Sequence, residues 1–267
     1  MSYAIRLTES LFPAQTDSQV QSITIGEQLK LTAQAYPQET ALVEVDIDGD
    51  IGRSWTWSSL LTECEEQAFA LASRFLPGER VTVWSPNTPE WVIMEFACAM
   101  AGIVIVTANP ALQARELRYI LDQSESAALF RVETYRGNPM AKISVEACDG
   151  LSGIRECIDM NDHQAMRRVL NPVDVLPNVQ PEDAAMIQYT SGTTGFPKGA
   201  VLSHLSLLNN ARFYSDRLGV RKISVWINIM PMFHTSGCGM VTLGCLQAGC
   251  KMLIVQLFET PAICRVI

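Results

Sequence analysis

The chain has 267 residues, enough to bury a sizeable core, and 48% of them are hydrophobic, which argues against disorder. Its 28 acidic against 20 basic residues leave a net charge of −8, a poor balance for nucleic acid but no bar to a small anion held at a local positive site. Eight cysteines without a CxxC spacing, several in apolar runs, read as buried free thiols of a reducing compartment. Three histidines (163, 204 and 234), remote from any cysteine pair, give no zinc pattern.

The first residues, Met1 to Glu9, contain no apolar h-region, and Glu9 and Asp17 disfavour a transit peptide, so a cytoplasmic location is expected. Ile25, Leu29, Leu31 and Ala35, closed by Pro37, predict a helix over 25–35. Leu42–Val45 and Ser54–Trp57 flank Asp46–Gly52 as a hairpin, and Ser58–Phe75 reads as an amphipathic helix ending near Pro77-Gly78. Strands at 80–84, 103–107 and 127–131 then alternate with helices at 88–101 and 113–123. The longest apolar region, 91–108, is broken by Glu95 and Gly102 into helix and strand, so no membrane span is expected. Near-continuous apolar strands separated by helices predict an α/β fold with mostly parallel sheets covered by helices.

Residues 132–183 give no clear elements. Within them 171–183 carry three prolines and three acidic residues and read as a connection between a first α/β subdomain, 1–170, and the start of a second, 184–267. After it come a strand from Ala184 to Ile187 and another over 199–204. Ser203 is placed to cap a helix reaching Leu218, followed by a strand at 224–229, a small-residue helix at 237–248 and a strand at 251–255. There is no internal repeat.

Between the strands at 184–187 and 199–204 stands Tyr189-Thr-Ser-Gly-Thr-Thr-Gly-Phe-Pro-Lys-Gly199. Such a loop offers backbone N–H groups, short hydroxyls and one ammonium to a single point, the chemistry that holds a polyphosphate. It is not a Walker A loop: Pro197 precedes Lys198, Gly199 follows it, and no hydroxyl comes next to hold magnesium. Downstream, Met230-Pro-Met-Phe-His-Thr-Ser-Gly237 is an aromatic-containing loop ending in glycine.

Together these segments resemble the acyl-adenylate-forming (AMP-binding) superfamily, most closely an acyl-CoA synthetase. Val83–Trp91 and Ala101–Pro110 resemble its N-terminal region less specifically. The resemblance implies that Thr190, Ser191, Gly192, Thr193, Thr194, Gly195 and Lys198 embrace the β- and γ-phosphates of ATP, brought with Mg2+. It implies that His234 lies near the acyl carboxylate, and that Gly237 and Gly239 border the acyl pocket. Their small size is equally compatible with close packing against the sheet. An amino-acid-activating relative would carry an aspartate directly after the aromatic motif; Thr235–Gly239 here lacks one.

The resemblance further implies activation of a carboxylic acid, most simply a fatty acid, to an acyl-adenylate and then transfer to coenzyme A. Adenylate-forming enzymes continue past the point where this sequence stops, so 1–267 is expected to be a C-terminally truncated part of their large N-terminal domain. The ribose anchor and the catalytic lysine cannot be located in it, and the isolated chain is expected to bind ATP weakly with little turnover. The alternatives are a non-catalytic nucleotide- or acyl-binding remnant of such an enzyme and, more distantly, a P-loop NTPase.

Overall fold

The computed structural model describes residues 19–190 and 197–266. Two sheets carry the fold. The first has six strands: β3 (Arg80–Trp84), β4 (Val104–Ala108), β5 (Ser126–Arg131), β6 (Glu156–Asp159), β7 (Ala184–Thr190) and β8 (Lys198–Ser203), in the order β6-β5-β3-β4-β7-β8. The second has four: β1 (Thr40–Val45), β2 (Ile51–Thr56), β9 (Val225–Asn228) and β10 (Lys251–Val255), in the order β2-β1-β10-β9. All pairings are parallel except the hairpins β1–β2 and β7–β8, so the expected mostly parallel α/β architecture is the observed one.

The sheets are interleaved in the chain. Strands β7 and β8 extend the sheet begun by β3 to β6, while β9 and β10 return to pair with β1 and β2. The segment 171–183 therefore does not separate one sheet from the other. The reason is burial: β4 is covered on both faces and needs a parallel neighbour, and Ile105 and Val106 find it in Met186 and Ile187.

Between the sheets runs α3 (Pro89–Ala101), all thirteen residues of which are buried. A helix apolar all round has no solvent face to keep, and α3 touches both β4 and β1. Thr88 caps its first turn by accepting from the Trp91 N–H, Pro89 suits the first helical position, and Gly102 at φ +67° lets the chain turn into β4. Around it pack α1 (Ile25–Ala35), capped reciprocally by Thr24 and Glu27, and α2 (Trp57–Ala72), capped by Thr56. On the six-stranded sheet lie α4 (Ala114–Gln123) and α5 (Met140–Cys148), with the one-turn α6 (His163–Met166) following β6. The elements α5, β6 and α6 lie within 132–183, the stretch with no clear pattern in the sequence. Then come α7 (His204–Leu218), α8 (Leu243–Ala248) and α9 (Thr260–Val266).

Two differences from expectation concern helix starts. His204, read as the end of a strand, opens α7 and is fully buried, its Nδ1 accepting the Ile25 N–H at 3.4 Å. Burial pulls its pKa down to about 4 against the opposing pull of Asp183 and Glu27, so the ring is a neutral joint between α7 and α1. The helix expected over 237–248 begins instead as a π-helical turn, Ser236–Thr242, and becomes α-helical only at Leu243. Its wide turn is visible in the Met240 N–H donating to Thr235 O at 2.7 Å. The thiols also divide: Cys64, Cys98, Cys238, Cys245 and Cys250 are buried, but Cys157 and Cys264 are exposed.

One core group is out of keeping with its surroundings. Glu95, on α3, is 2% exposed and neither carboxylate oxygen has a partner among the described residues. Burial raises its pKa well above the usual carboxylate range, so the folded protein holds it protonated. The unfolded chain releases that proton near pH 4.5, hence it binds fewer protons than the native state and stability falls as pH rises. Wherever the group is protonated folded and ionised unfolded, its loss is up to about 1.4 kcal/mol per pH unit. Glu95→Gln removes it: because His204 and the buried thiols titrate alike in both chains, the urea midpoint of the parent is expected to fall relative to that of the variant between about pH 6.5 and 8.

Candidate functional site

In a parallel sheet the loops after the strands gather at one edge, where α/β proteins bind ligands. Here the loop after β3 meets the loop after β9 through Asn87 and Met230, and β7 itself touches the turn that follows through Gln188 and Cys238. The β7–β8 register ends on Thr190 opposite Lys198, so the two ends of the predicted phosphate loop face each other across the last rung of the hairpin. Thr190 Oγ1 donates to Lys198 O at 3.4 Å, and both residues are exposed to solvent. Ser191, Gly192, Thr193, Thr194 and Gly195, the middle of that loop, lie outside the described residues.

The two flanks of the loop are anchored from α4, a helix with no connection to them in sequence. Tyr119 Oη donates to Pro197 O at 3.0 Å, and Tyr189 Oη donates to Gln123 Oε1. Burial first, then neighbouring Tyr119, pushes the Tyr189 hydroxyl up to about 12, keeping it a neutral donor. Gly199, at the start of β8, is closely packed: a Cβ there would stand 3.0 Å from Ile187 Cγ2 and 3.3 Å from Tyr189 Cζ, so those side chains would have to shift.

Alternation along β7 sends Met186, Gln188 and Thr190 to the face opposite Tyr189. Onto that face packs the π-helical turn. Gln188 Nε2 donates to Cys238 Sγ at 3.3 Å, and Cys238 Sγ in turn donates to His234 O at 3.3 Å. A chain of contacts thus joins the strand that ends in Thr190 to the backbone of His234. The His234 ring is exposed, and its Nδ1 accepts the Ser236 N–H at 3.1 Å with Ser236 Oγ at 2.9 Å. A backbone N–H can only donate, so the neutral ring carries its proton on Nε2, facing away from the turn.

The aromatic loop itself is held by two asparagines that the sequence reading passed over. Asn87, in the loop after β3, is 8% exposed; its Nδ2 donates to Met230 O at 2.9 Å and Val255 O at 3.2 Å, and its Oδ1 accepts the Met232 N–H at 2.8 Å. It ties the carboxyl ends of β3, β9 and β10 together. Asn228, fully buried at the end of β9, donates to Gly237 O at 3.3 Å and accepts from the Met230 N–H at 3.2 Å. For Asn87, three residues beyond the end of β3, no local signal was available; for Asn228 it was a polar residue closing an apolar strand, Trp-Ile-Asn.

The two glycines predicted to border an acyl pocket separate. At Gly237 a Cβ would lie 2.4 Å from Pro231 O and 2.8 Å from Met230 O, so this position is closed by backbone and is a close-packing glycine. At Gly239 the nearest atoms, on Leu207 and Thr235, stand at 3.6 Å, and the residue opens on a cavity of about 260 Å³ walled by Leu202, Leu207, Thr235 and Met240. Two larger clefts, of about 370 and 540 Å³, lie beside residues 177–179, and their lining residues belong to neither loop.

The chain is 30% identical over 275 residues to YngI of Bacillus subtilis, covering 91% of this chain and 49% of that protein. It is 31% identical over 274 residues to the human mitochondrial medium-chain acyl-CoA ligase ACSF2, covering 90% of this chain and 44% of that one. It therefore spans about half the length of the curated relatives it matches. Among solved structures, the fold matches a long-chain-fatty-acid–CoA ligase of Archaeoglobus fulgidus, with a TM-score of 0.79 at 22% identity over 92% of this chain and 50% of that one. It also matches the O-succinylbenzoate coenzyme A synthetase of Bacillus subtilis in complex with ATP and magnesium, with a TM-score of 0.75 at 20% identity over 92% of this chain and 61% of that one. The model of the AMP-binding enzyme family matches residues 29–267, and the chain belongs to that family.

Proposed function

We propose that this chain provides the triphosphate cradle and the acid-binding loop of an ATP-dependent acid–thiol ligase that activates an apolar carboxylic acid. The observation that carries this reading is the tie from Gln188 through Cys238 to His234, which links the strand leading into the predicted phosphate loop with the backbone of the predicted carboxylate loop. A reaction between the α-phosphate of ATP and a carboxylate needs those two sites adjacent.

In this reading Mg-ATP is a substrate. Its β- and γ-phosphates lie against Thr190, the Lys198 ammonium and Ser191 to Gly195, which offset the negative charge transferred to the leaving pyrophosphate. The carboxylate oxygen attacks the α-phosphorus and the bond from that phosphorus to the α,β-bridging oxygen breaks, giving an acyl-adenylate and pyrophosphate. The thiol of coenzyme A then attacks the acyl carbonyl and AMP leaves. His234, with its Nε2–H turned outward, donates to the acid and orients it. In this reading magnesium enters on the nucleotide, as Mg-ATP.

The apolar walls Leu202, Leu207 and Met240 favour an aliphatic tail over a charged one. Among the described residues no helix is long and apolar enough to cross a membrane, and we place the reaction in the cytosol. Thermal stabilisation of the chain by straight-chain acids of increasing length tests the pocket. Gly239→Trp is expected to shift the longest stabilising acid to a shorter one, and an unchanged length profile would remove the pocket from this site. Stabilisation by ATP and acid with no release of pyrophosphate, even when the missing length of the relatives is supplied, would favour the non-catalytic remnant.

A further inference from the structure

The tip of the β7–β8 hairpin outruns the sheet that carries it. The register of β7 with β4 covers Met186 and Ile187, whereas its register with β8 continues through Gln188 and Tyr189 to Thr190 opposite Lys198. Among the described residues, the rungs that bear the two ends of the predicted phosphate loop therefore have no strand on the β4 side to hold them. Strand alternation turns Gln188 towards Cys238 on one face and Tyr189 to the other. On that second face stands α4.

Tyr119 and Gln123 lie one turn apart on one side of α4, and each reaches one flank of the loop. Tyr119 Oη donates to Pro197 O at 3.0 Å, and Gln123 Oε1 accepts from Tyr189 Oη. The Gln123 oxygen also lies over β8, 3.5 Å from where a Gly199 Cβ would stand. A helical rise of about 6 Å over four residues is close to the spacing of about 4.8 Å between paired strands, so a single turn of α4 spans both. The helix is a firm base. Leu117, Ile120 and Leu121 are buried on its core side, and Arg118 ties it to the end of α5 by donating to Ala147 O at 3.3 Å and to Asp149 O.

We propose that Tyr119, supported by Gln123, is the positioning residue of the phosphate loop, setting the Pro197–Lys198 peptide so that the lysine meets the triphosphate. The inference rests on the reading of residues 190–198 as a phosphate cradle. The proline ring fixes φ at Pro197, Tyr119 holds its carbonyl, and Thr190 Oγ1 donates to the carbonyl of Lys198. The peptide planes before and after the Lys198 Cα are thereby both held, and the ammonium has only its own side-chain torsions left to search. Without the Tyr119 hydroxyl the free loop samples more conformations, which the nucleotide must order as it binds.

Tyr119→Phe removes the hydroxyl and keeps the ring. Calorimetry on the 267-residue chain uses Mg-ATP and, as a probe lacking the nucleoside, magnesium tripolyphosphate. Both are expected to bind about three- to tenfold more weakly to the variant, by the same factor. In a Lys198→Ala background the same change should cost less than about twofold, because the ammonium it positions is gone. Tyr189→Phe, which releases Gln123 from the other flank, should weaken both probes about two- to threefold. Thermal stabilisation by a straight-chain acid should be the same in Tyr119→Phe as in the parent. Unchanged affinity in Tyr119→Phe beside weakened binding in Lys198→Ala, or equal losses in the two backgrounds, would overturn the inference and leave the cradle standing. Equal affinity of the parent and Lys198→Ala would remove the cradle, and the inference with it.

Discussion

Gly237→Ala is expected to destabilise the chain by more than about 3 kcal/mol, although alanine favours helical backbone over glycine by about 1 kcal/mol. The added Cβ would meet Pro231 O at 2.4 Å and Pro231 C at 2.6 Å, main-chain atoms that no rotamer change can move aside. Those atoms are themselves pinned, since Met230 and Met232 on either side of Pro231 are bonded to Asn87. Relief would require unpicking the junction of β3, β9 and β10. Gly239→Ala is the matched control two residues along: its Cβ makes ordinary contacts at 3.6 Å, and its urea midpoint should stay within about 1 kcal/mol of the parent. Equal midpoints for the two variants would show that the π-helical turn yields where the geometry says it cannot.

Asn87→Ala is expected to lose about 2–4 kcal/mol, because it strands the Met232 N–H and the carbonyls of Met230 and Val255 in a buried joint. Asn87→Asp should be worse. It keeps an acceptor for Met232 but turns the amide donor into a second acceptor aimed at two carbonyl oxygens. Amide hydrogen exchange separates this local role from general destabilisation: residues 229–237 should lose protection first, while β3 to β5 keep theirs. Uniform loss across both sheets would mean that Asn87 supports the whole core rather than the loop beside it.

Much of the site was legible in the sequence because its chemistry is carried by consecutive residues. A run of glycines and hydroxyls ending in Pro197-Lys198 can be read without a fold, and β7 and β8 flank it as expected. What could not be read is what comes from distant segments. Asn87 and Val255 are 168 positions apart, and Tyr119 reaches Pro197 across 78. Neither Asn87 nor Tyr119 belongs to a local pattern, so only the packing of α4 and of the β3 loop reveals their use. The strand partners were not legible for a related reason. Hydrophobic periodicity places a strand but not its neighbour, and nothing in Lys251–Val255 says that it pairs with Leu42–Val45 rather than with β7. The π-helical turn escaped because Gly237 and Gly239 read as small residues of an ordinary helix, whereas Gly237 O is taken by the side chains of Asn228 and Thr242. In 140–166, elements as short as the four-residue β6 and the one-turn α6 leave too little pattern to detect.

The measurement that tests the central claim most directly is Mg-ATP binding by the 267-residue chain and its Lys198→Ala variant, followed calorimetrically, with the released phosphate products assayed in parallel. A phosphate cradle predicts weak binding by the parent, at least about tenfold weaker binding by the variant, and any slow turnover appearing as pyrophosphate in an acid-dependent manner. Equal affinity in the two chains, or release of inorganic phosphate without acid, would contradict it.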